Sequence, residues 1–326
     1  MAITTKDPHA WFVATNDAGE TQTVYNNERY EHDYPFGFEV NFADIASPQQ
    51  NTVTLYNMSK EHREFYQKKQ HCYVAFNWGK DKKILAEGFI TKIDVNQSDG
   101  VTDTLVITFT EGTDYNNLQA RKLKVTKKKA VNKYKHITKT ETYKTGKKKG
   151  QKHEVKHRVK YRGTKTVRAN KTFRKGTDYK TIIKGIASQA GIKITSIDLA
   201  ENPKMKRPYT AHGKPLTLLK KLVPKTKSKM VYIGGKLEIV NPKSNKRTWY
   251  GIDDQDLVQP PSYNEDGSDD EDGGTWEITI PLVPDITTNV GILMESKYLK
   301  GKYYVKSGQH TFDGENPQTQ CSLSAI

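Results

Sequence analysis

The chain has 326 residues, of which 34% are hydrophobic and 28% charged, so it can fill two or three domain cores and is not a wholly disordered protein. No apolar run approaches the roughly 18 residues of a membrane-spanning helix. The N-terminal sequence has no basic stretch followed by an apolar one, so no secretory signal is predicted. Two cysteines are too few for a disulfide scaffold or a cysteine-based zinc module.

The positive charge is concentrated in one segment. Residues 121–184 contain 25 Lys and Arg and three acidic residues, a net charge of +22, whereas the whole chain is only +16. The rest of the chain therefore has a net charge of −6, and part of its acidity lies in a cluster at 266–272. This distribution predicts a mildly acidic globular body that carries one concentrated basic element.

The first part of the chain is predicted to be an N-terminal arm followed by β structure. Residues 1–34 are polar and aromatic with little periodicity, which predicts an arm or an edge strand. From 35 to 118, short stretches of alternating apolar residues are separated by turn sequences, and this pattern predicts a first small antiparallel β-barrel domain, 35–118. A short helix at 59–70, capped by Ser59, interrupts its strands.

Residues 119–175 contain most of the basic stretch, and their pattern has a period of two. In 153–162 the odd positions are His, Val and Tyr, whereas the even positions are Glu, Lys and Arg. Alternation of this kind places the two sets on opposite faces of a strand. Because GKKKG at 146–150 reads as a turn, the segment predicts a long basic β-hairpin extension.

The remaining chain is predicted to fold as two further units. Residues 176–245 show helical spacing in two places, one of them ending at Gly191, and a hairpin that turns at Gly234-Gly235, so they predict an α/β domain. Residues 246–326 return to strand patterns and predict a second β-barrel domain with an acidic loop at 264–274. The predicted fold class is mainly β with a smaller α+β part: two small antiparallel β-barrel domains, an α/β unit and a long basic β-hairpin.

The sequence HEVKH at 153–157 matches the H-E-x-x-H pattern of zinc peptidases, which requires a helix so that both histidines reach one metal ion. The alternating, lysine-rich flanks indicate a strand instead, in which His153 and His157 lie roughly 13 Å apart and cannot share a zinc ion. No nucleophile elbow, phosphate-binding glycine loop or calcium loop occurs elsewhere. The sequence therefore predicts no catalytic residue, no metal site and no cofactor, and the chain is not predicted to be an enzyme.

Nucleic-acid binding is the alternative function that the composition favours. Lysines interleaved with Tyr134, Tyr143, Tyr161 and Phe173 can neutralise phosphates and offer stacking surfaces. Most of these cations are Lys rather than Arg, and no base-reading module is present, so any binding would be independent of sequence. The alternative prediction is a sequence-independent nucleic-acid-binding protein that uses the Lys-rich segment 121–184.

The order of the elements and several stretches resemble bacteriophage tail and baseplate hub proteins, the phage protein D or late control group. In that family a strand ends in a Leu-Tyr-Asn-Leu-Ser-like step, here Leu55-Tyr56-Asn57-Met58-Ser59, and a later strand carries Gly-x-Ile, here Gly88-Phe89-Ile90. The segment 173–194 is similar to the opening of the family's α/β domain. The segments 276–296 and 303–325 resemble its closing barrel.

The resemblance, which extends over about 35–326 apart from the basic hairpin and the acidic loop, implies an architecture. Two similar barrels per chain would give a homotrimeric ring pseudo-sixfold symmetry and join the sixfold tube of a contractile tail to the threefold spike or tip. The ring would surround the DNA exit channel. Implied partners are the tail tube protein, the spike or tip protein, other baseplate proteins and the tape measure protein, with a transient DNA contact in the lumen and no membrane. The expected location is the virion tail tip or baseplate, assembled in the host cytoplasm. Some relatives carry a fused peptidoglycan-cutting domain, which is not predicted here.

The basic hairpin departs from the plain family pattern. Lysines at its base and tip are predicted to meet an acidic partner: the tail tube, the tape measure protein or DNA. The candidate contact residues are Lys127, Lys128, Lys129, Lys147, Lys148, Lys149, Lys156, Arg158, Lys160 and Arg162. The acidic loop is predicted, on weaker grounds, to meet the hairpin of a neighbouring copy through Asp269, Asp270, Glu271 and Asp272. The alternative is a solvated surface, because exposed Lys pairs contribute little individually.

Overall fold

A computed structural model of the protein describes residues 3, 5–27, 34–97, 103–112, 124–244, 246–265 and 274–326. These residues are mainly in strands, with three α-helices among them, so the predicted fold class, mainly β with a smaller α+β part, is confirmed. In the part of the chain that the structure describes, every helix is too short or too polar to cross a membrane.

The N-terminal third forms seven strands and one short helix. The side chain of Ser59 accepts a hydrogen bond from the His62 N–H, so the predicted cap is present, although the helix is shorter than predicted. The elements are β1 (Pro8–Thr15), β2 (Thr21–Asn26), β3 (Phe36–Ala43), β4 (Gln50–Tyr56), α1 (Lys60–Glu64), β5 (His71–Trp78), β6 (Ile84–Gln97) and β7 (Asp103–Glu111).

Two long strands, β8 (Lys124–Thr142) and β9 (Lys152–Asn170), follow and pair with each other in a two-stranded sheet of their own. The α/β unit comes next. Its first helix begins where Asp178 accepts a hydrogen bond from the Thr181 N–H and ends where Gly191 adopts a left-handed φ of 72°. The elements of this unit are β10 (Thr172–Phe173), α2 (Tyr179–Ala190), β11 (Ile194–Ile197), β12 (Tyr209–Thr210), α3 (Pro215–Leu222), β13 (Lys229–Ile233) and β14 (Lys236–Val240).

The C-terminal part contributes six strands. They are β15 (Trp249–Ile252), β16 (Gln259–Asn264), β17 (Thr275–Pro281), β18 (Gly291–Glu295), β19 (Lys300–Phe312) and β20 (Gln318–Ala325). Residues 266–273 of the predicted acidic loop, including Asp269, Asp270, Glu271 and Asp272, lie outside the described residues.

One thirteen-stranded sheet combines strands from both ends of the chain. Its order is β16-β17-β20-β19-β3-β4-β7-β6-β5-β1-β2, with β18 paired to β19 and β15 paired to β18. The two β-rich regions therefore meet edge to edge at β3 and β19, which pair from Ser307 opposite Ala43 to Phe312 opposite Phe38. Closure of either region into a barrel, and the domain boundaries, stay predictions.

Three large hydrophobic cores support this arrangement in the described part of the chain. The first lies among β1 to β7, the second lies where α2 and α3 pack on β13 and β14, and the third lies among β15 to β20. The first and third cores interlock at the β3–β19 junction. Leu282 and Phe312 are buried in the first core, whereas Phe42 is buried in the third.

Candidate functional site: a basic ribbon and a neutral sheet face

The ribbon, defined as β8, β9 and the turn 143–151, is the first candidate surface. Its two strands pair without interruption from Lys124 opposite Asn170 to Thr142 opposite Lys152. At about 3.4 Å per residue the paired part is roughly 60 Å long. Among the described residues neither outer edge of the ribbon pairs with another strand, so the ribbon projects from the body with unpaired backbone groups on both sides.

The tip of the ribbon is a turn that presents three lysines. Its ends are held by hydrogen bonds that the Tyr143 N–H donates to the Gln151 carbonyl and the Gly150 N–H donates to the Tyr143 carbonyl, both 3.0 Å long. Gly146 and Gly150 have φ of 83° and 87°, a conformation that glycine adopts at little cost. Of the predicted contact residues, the turn carries Lys147, Lys148 and Lys149, all exposed.

The even-numbered residues form one face of the ribbon, the basic face. Its β9 row contains Lys156, Arg158, Lys160 and Arg162, all exposed. These cations face the β8 residues Thr138, His136, Tyr134 and Asn132, in that order. The Arg158 guanidinium lies 4.0 Å from the centre of the Tyr134 ring, a cation–π contact that steadies both side chains. The structure thus brings together four predicted contact residues in one straight row.

The odd-numbered residues form the other face, the apolar face. Val131, Ile137, Val155 and Val159 lie on it and are half-buried, although only the ribbon's own side chains lie near them. The stem of Lys133 lies across Gly163, where an added Cβ would come 2.5 Å from the Lys133 Cδ. Lysines of this face therefore cover apolar surface with their methylene groups and keep their ammonium groups in water.

The predicted lysines near the base are divided between the two faces. Lys128 is on the basic face and Lys129 is on the apolar face, and both are exposed. The backbone of Lys127 pairs with Val167, but its side chain lies outside the described part of the structure. The sequence therefore located the basic element correctly, while the sidedness of individual lysines depends on the strand register.

The HEVKH sequence lies on a strand, as its alternation indicated. His153 and His157 are both on the apolar face, and Glu154 is on the basic face, so the three side chains do not converge. The His153 ring stacks on Tyr143 with ring centres 3.9 Å apart, and His157 Nε2 lies 2.6 Å from a carboxylate oxygen of Glu141. Among the described residues no group of three His, Cys, Asp or Glu side chains is placed to hold a metal ion.

The second candidate surface is the neutral face, the side of the main sheet that faces away from the cores on β7, β4, β3, β19, β20 and β17. Its residues alternate with buried ones along each strand. Among the described residues, the positions that define this face hold no Lys or Arg and two carboxylates, Glu39 and Glu277, whereas cations lie at its margins: Lys302 is on the same side of β19, and Lys92 of β6 lies opposite Thr108. Its members are Gly37, Glu39, Asn41, Ala43, Gln50, Thr52, Thr54, Tyr56, Thr104, Val106, Thr108, Thr110, Thr275, Glu277, Thr279, Pro281, Ser307, Gln309, Thr311, Gln318, Gln320, Ser322 and Ser324.

The neutral face crosses the junction between the two β regions without a break. Thr52 lies opposite both Thr108 and Glu39, Glu39 lies opposite Thr311, and Thr311 lies opposite Gln318. A shallow groove of about 640 Å³ lies on this surface at the β3–β19 junction, lined mainly by amide and hydroxyl side chains. With neighbouring strands about 4.8 Å apart, six strands make a polar surface roughly 25 Å wide.

Specific polar contacts fix the three cores relative to one another. Lys229 Nζ of the α/β unit lies 2.6 Å from a carboxylate oxygen of Asp44, and the same ammonium donates to Tyr304 Oη at 3.3 Å. Burial lowers the pKa of Lys229, but the Asp44 carboxylate more than reverses this, so the pKa is raised above its ordinary value. A further tie is the hydrogen bond that the Trp78 Nε1–H donates to the Leu282 carbonyl, 2.7 Å long.

Two buried titratable groups lie near the same junction. Burial raises the pKa of Glu111 to about 7, although hydrogen bonds from Asn51 and from the Gly235 N–H oppose the shift. Burial lowers the pKa of His310 to about 3, so this histidine is neutral, with Nδ1 2.8 Å from Thr319 Oγ1. Both groups border a cavity of about 410 Å³ between the three units, and in the described residues no group of three His, Cys, Asp or Glu side chains is placed beside them to hold a metal ion.

Sequence reasoning missed the neutral face and the Asp44–Lys229 pair. The Thr and Gln alternation in β4, β7 and β20 is visible in the sequence, but it indicates only that one side of each strand is polar. That these polar sides form one surface depends on the pairing of β3 with β19, which joins residues about 270 positions apart. Contacts of this sequence separation are not readable from local pattern.

No protein-family model matches the sequence, and no curated protein matches it. Solved structures nevertheless share its fold. The 43 kDa tail protein of prophage MuSo2 from Shewanella oneidensis superposes with a TM-score of 0.57 at 9% identity and covers 98% of both chains. The tail protein from Neisseria meningitidis MC58 gives 0.56 at 8% identity, over 97% of this chain and 96% of its own.

A third solved structure extends the comparison beyond phages. It is the E. coli c3393 protein, described as a component of the type VI secretion system with structural similarity to T4 bacteriophage tail proteins gp27 and gp5. Its TM-score is 0.54 at 8% identity, over 90% of this chain and 74% of its own. At these low sequence identities the comparison shows a shared fold. The resemblance to phage tail proteins that was stated from the sequence is therefore confirmed at the level of fold.

Proposed function

We propose that this chain, whose fold is that of solved phage tail proteins, is a structural hub of a phage tail. In this proposal three copies form a ring at the baseplate or tail tip, which joins the sixfold tail tube to the threefold spike or tip and surrounds the DNA exit channel. The two β regions of each chain would supply the six similar positions that the tube requires. The role is geometric and involves no turnover.

The observation that carries the proposal is the neutral face. A wall along which DNA moves must not hold phosphates, because each Lys or Arg that neutralises one strengthens binding and slows release. In a chain of net charge +16, a polar surface whose central positions on six strands hold no Lys or Arg, with Lys92 and Lys302 only at its margins, is suited to such a wall. The edge-to-edge pairing of β3 and β19 makes this surface continuous across both β regions.

The ribbon is suited to hold a neighbouring component. It is roughly 60 Å long, projects from the body and carries lysines at base and tip, so it can reach past its own subunit. Its proposed partner is acidic: the tube protein, the tape measure protein or DNA, with the spike or tip protein and other baseplate proteins as further neighbours of the ring. Replacing Lys127, Lys128, Lys129, Lys147, Lys148 and Lys149 with Ser is expected to lower the yield of infectious tails, and normal tails would contradict this role.

The native mass of the purified chain tests the hub proposal. A trimer of about 111 kDa, three times 37.1 kDa, that forms without DNA is the expected result. A monomer that assembles only when DNA is added would instead favour the alternative, a nucleic-acid-binding protein that works through residues 121–184. Addition of the cognate tube protein is the matched control, because a ring held only by its neighbours would form then and not before.

A further inference from the structure

The two faces of the ribbon hold their charges differently. On the apolar face, the stem of Lys133 lies on the backbone at Gly163, and Glu141 is paired with His157 at 2.6 Å. The lysines of this face are exposed, but their rows are interrupted by half-buried apolar side chains, Val131 and Ile137 on β8 and Val155 and Val159 on β9.

The basic face instead carries an uninterrupted row of cations on β9. Lys156, Arg158, Lys160 and Arg162 occupy four successive outward positions of β9, all four exposed. No carboxylate of the described residues lies within ion-pair distance of any of them. Residues at i and i+2 of a strand are about 7 Å apart, so the row is straight, evenly spaced and about 20 Å long.

An evenly spaced row of cations matches a polymer with evenly spaced anions. Duplex DNA carries one phosphate charge per about 1.7 Å of helix axis, both strands counted, so several phosphates come within reach of a row of cations about 20 Å long. Arginine forms bidentate hydrogen bonds with phosphate, and both arginines whose side chains are described in the ribbon, Arg158 and Arg162, lie in this row. The acidic residues of a folded protein surface have no such fixed repeat.

The neighbouring row on β8 adds neutral groups suited to the same ligand. Asn132, Tyr134, His136 and Thr138 lie directly opposite the four cations. Asn, Tyr and Thr side chains also donate hydrogen bonds to phosphate oxygens in protein–DNA contacts. The basic face therefore combines cations with uncharged donors, with one carboxylate, Glu154, at the end of the row beside Lys156.

We propose that the basic face of the ribbon binds the phosphate backbone of duplex DNA without sequence preference, through Lys156, Arg158, Lys160 and Arg162. This inference rests on the proposed hub function, which places DNA beside the chain, and it assigns the contact to one face of one element. DNA then slides past the neutral face and is held at the ribbon. The apolar face takes no part in the contact.

Binding of a fluorescently labelled 30-base-pair duplex, measured by anisotropy over a series of salt concentrations, tests the inference. One variant carries four substitutions on the basic face, Lys156→Gln, Arg158→Gln, Lys160→Gln and Arg162→Gln. The matched control loses the same charge on the apolar face, through Lys133→Gln, Lys135→Gln, Lys139→Gln and Lys165→Gln. The basic-face variant is expected to bind at least 30-fold more weakly, with the slope of log affinity against log salt smaller by about 3 to 4. The control is expected to lose less than fivefold.

Equal losses in both variants would overturn the inference, because they would show that only total charge matters. Equally tight binding of poly-L-glutamate and DNA by the wild-type protein would also overturn the inference, because it would indicate an acidic protein as the partner. A charge-preserving variant, Lys156→Arg with Lys160→Arg, is expected to keep the affinity for DNA. It controls for a loss of binding that is caused by misfolding and not by the loss of charge. The native mass of the same samples separates the two proposals: a trimer that does not bind DNA overturns this inference and leaves the hub intact.

Discussion

The neutral face and the ribbon are both β structure, but different side chains occupy their outward positions, because a core lies beneath the neutral face and not beneath the ribbon. Outward positions of the neutral face are occupied by Thr, Gln, Asn and Ser above strands whose other side is buried in a core. The ribbon has no core beneath it, and its outward positions are occupied by Lys and Arg. The difference shows that positive charge in this chain is concentrated by location: the central positions of the neutral face hold no cation, whereas 18 of the 47 residues at 124–170 of the ribbon are Lys or Arg.

The comparison predicts that the body tolerates an added methyl group far less than the ribbon. At Gly88 in β6 a Cβ would lie 1.9 Å from the Thr110 carbonyl oxygen, a backbone atom that cannot move aside. Gly88→Ala is therefore expected to lower the free energy of unfolding by about 3 kcal/mol or more. At Gly163 in the ribbon the obstacle is the flexible Lys133 stem, so Gly163→Ala is expected to cost less than about 0.5 kcal/mol in urea unfolding. Equal losses in the free energy of unfolding for Gly88→Ala and Gly163→Ala would contradict this difference between the body and the ribbon.

A second difference concerns pH. The pKa of Glu111 is about 7 in the folded protein, against an ordinary value of 4.5, so between these values the folded state binds the proton more tightly than the unfolded state. Stability is therefore expected to fall as pH rises from about 4.5 to 7, by about 3 kcal/mol from this one group. Glu111→Gln is expected to flatten that part of the profile and to stabilise the protein at pH 8, measured by urea unfolding at several pH values.

The control for this prediction is Glu141→Gln in the ribbon, where the carboxylate is 47% exposed. This substitution is expected to change the free energy of unfolding by less than about 1 kcal/mol, because exposed ion pairs contribute little to stability. A profile that stays steep between pH 4.5 and 7 in the Glu111→Gln variant would contradict the assignment to Glu111.

The tie between the α/β unit and the sheet is expected to have a moderate effect. The carboxylate of Asp44 is 12% exposed and paired with Lys229, so Asp44→Asn leaves a partly buried ammonium without its counter-charge. We expect a loss of about 2 kcal/mol in the free energy of unfolding. Asp285→Asn removes the exposed pair with Lys83, in which both side chains are more than 40% exposed, and is expected to cost less than about 1 kcal/mol. A larger loss at Asp285 would show that the exposed pair holds the units together.

The smallest expected effect is on the neutral face. Thr52→Lys and Thr311→Lys change exposed or half-exposed positions without filling a core, so each is expected to alter stability by less than about 0.5 kcal/mol. The double variant is expected to bind duplex DNA two- to threefold more tightly, in the same anisotropy assay, because it adds cations to a surface whose central positions hold none. Unchanged DNA binding would indicate that this face is not accessible to the duplex.

Local features of this fold were predictable from the sequence, and features that depend on distant pairing were not. The cap at Ser59, the stop at Gly191 and the alternation of 153–162 each depend on a few adjacent residues, and the structure has all of them. The pairing of β3 with β19, the burial of Glu111 and the Asp44–Lys229 contact join residues that are far apart in the chain. The basic element was predictable because it is a local concentration of Lys and Arg. The assignment of individual lysines to one face depends on the register of β8 with β9.

The measurement that tests the central claim most directly is a reconstruction of the purified oligomer by electron cryomicroscopy. The account predicts a threefold ring whose central opening is bounded by the neutral face, with Thr52, Thr311 and Gln320 at its wall and the ribbons projecting from the ring. A ring whose opening is bounded by another side of the sheet, or an oligomer without threefold symmetry, would contradict it.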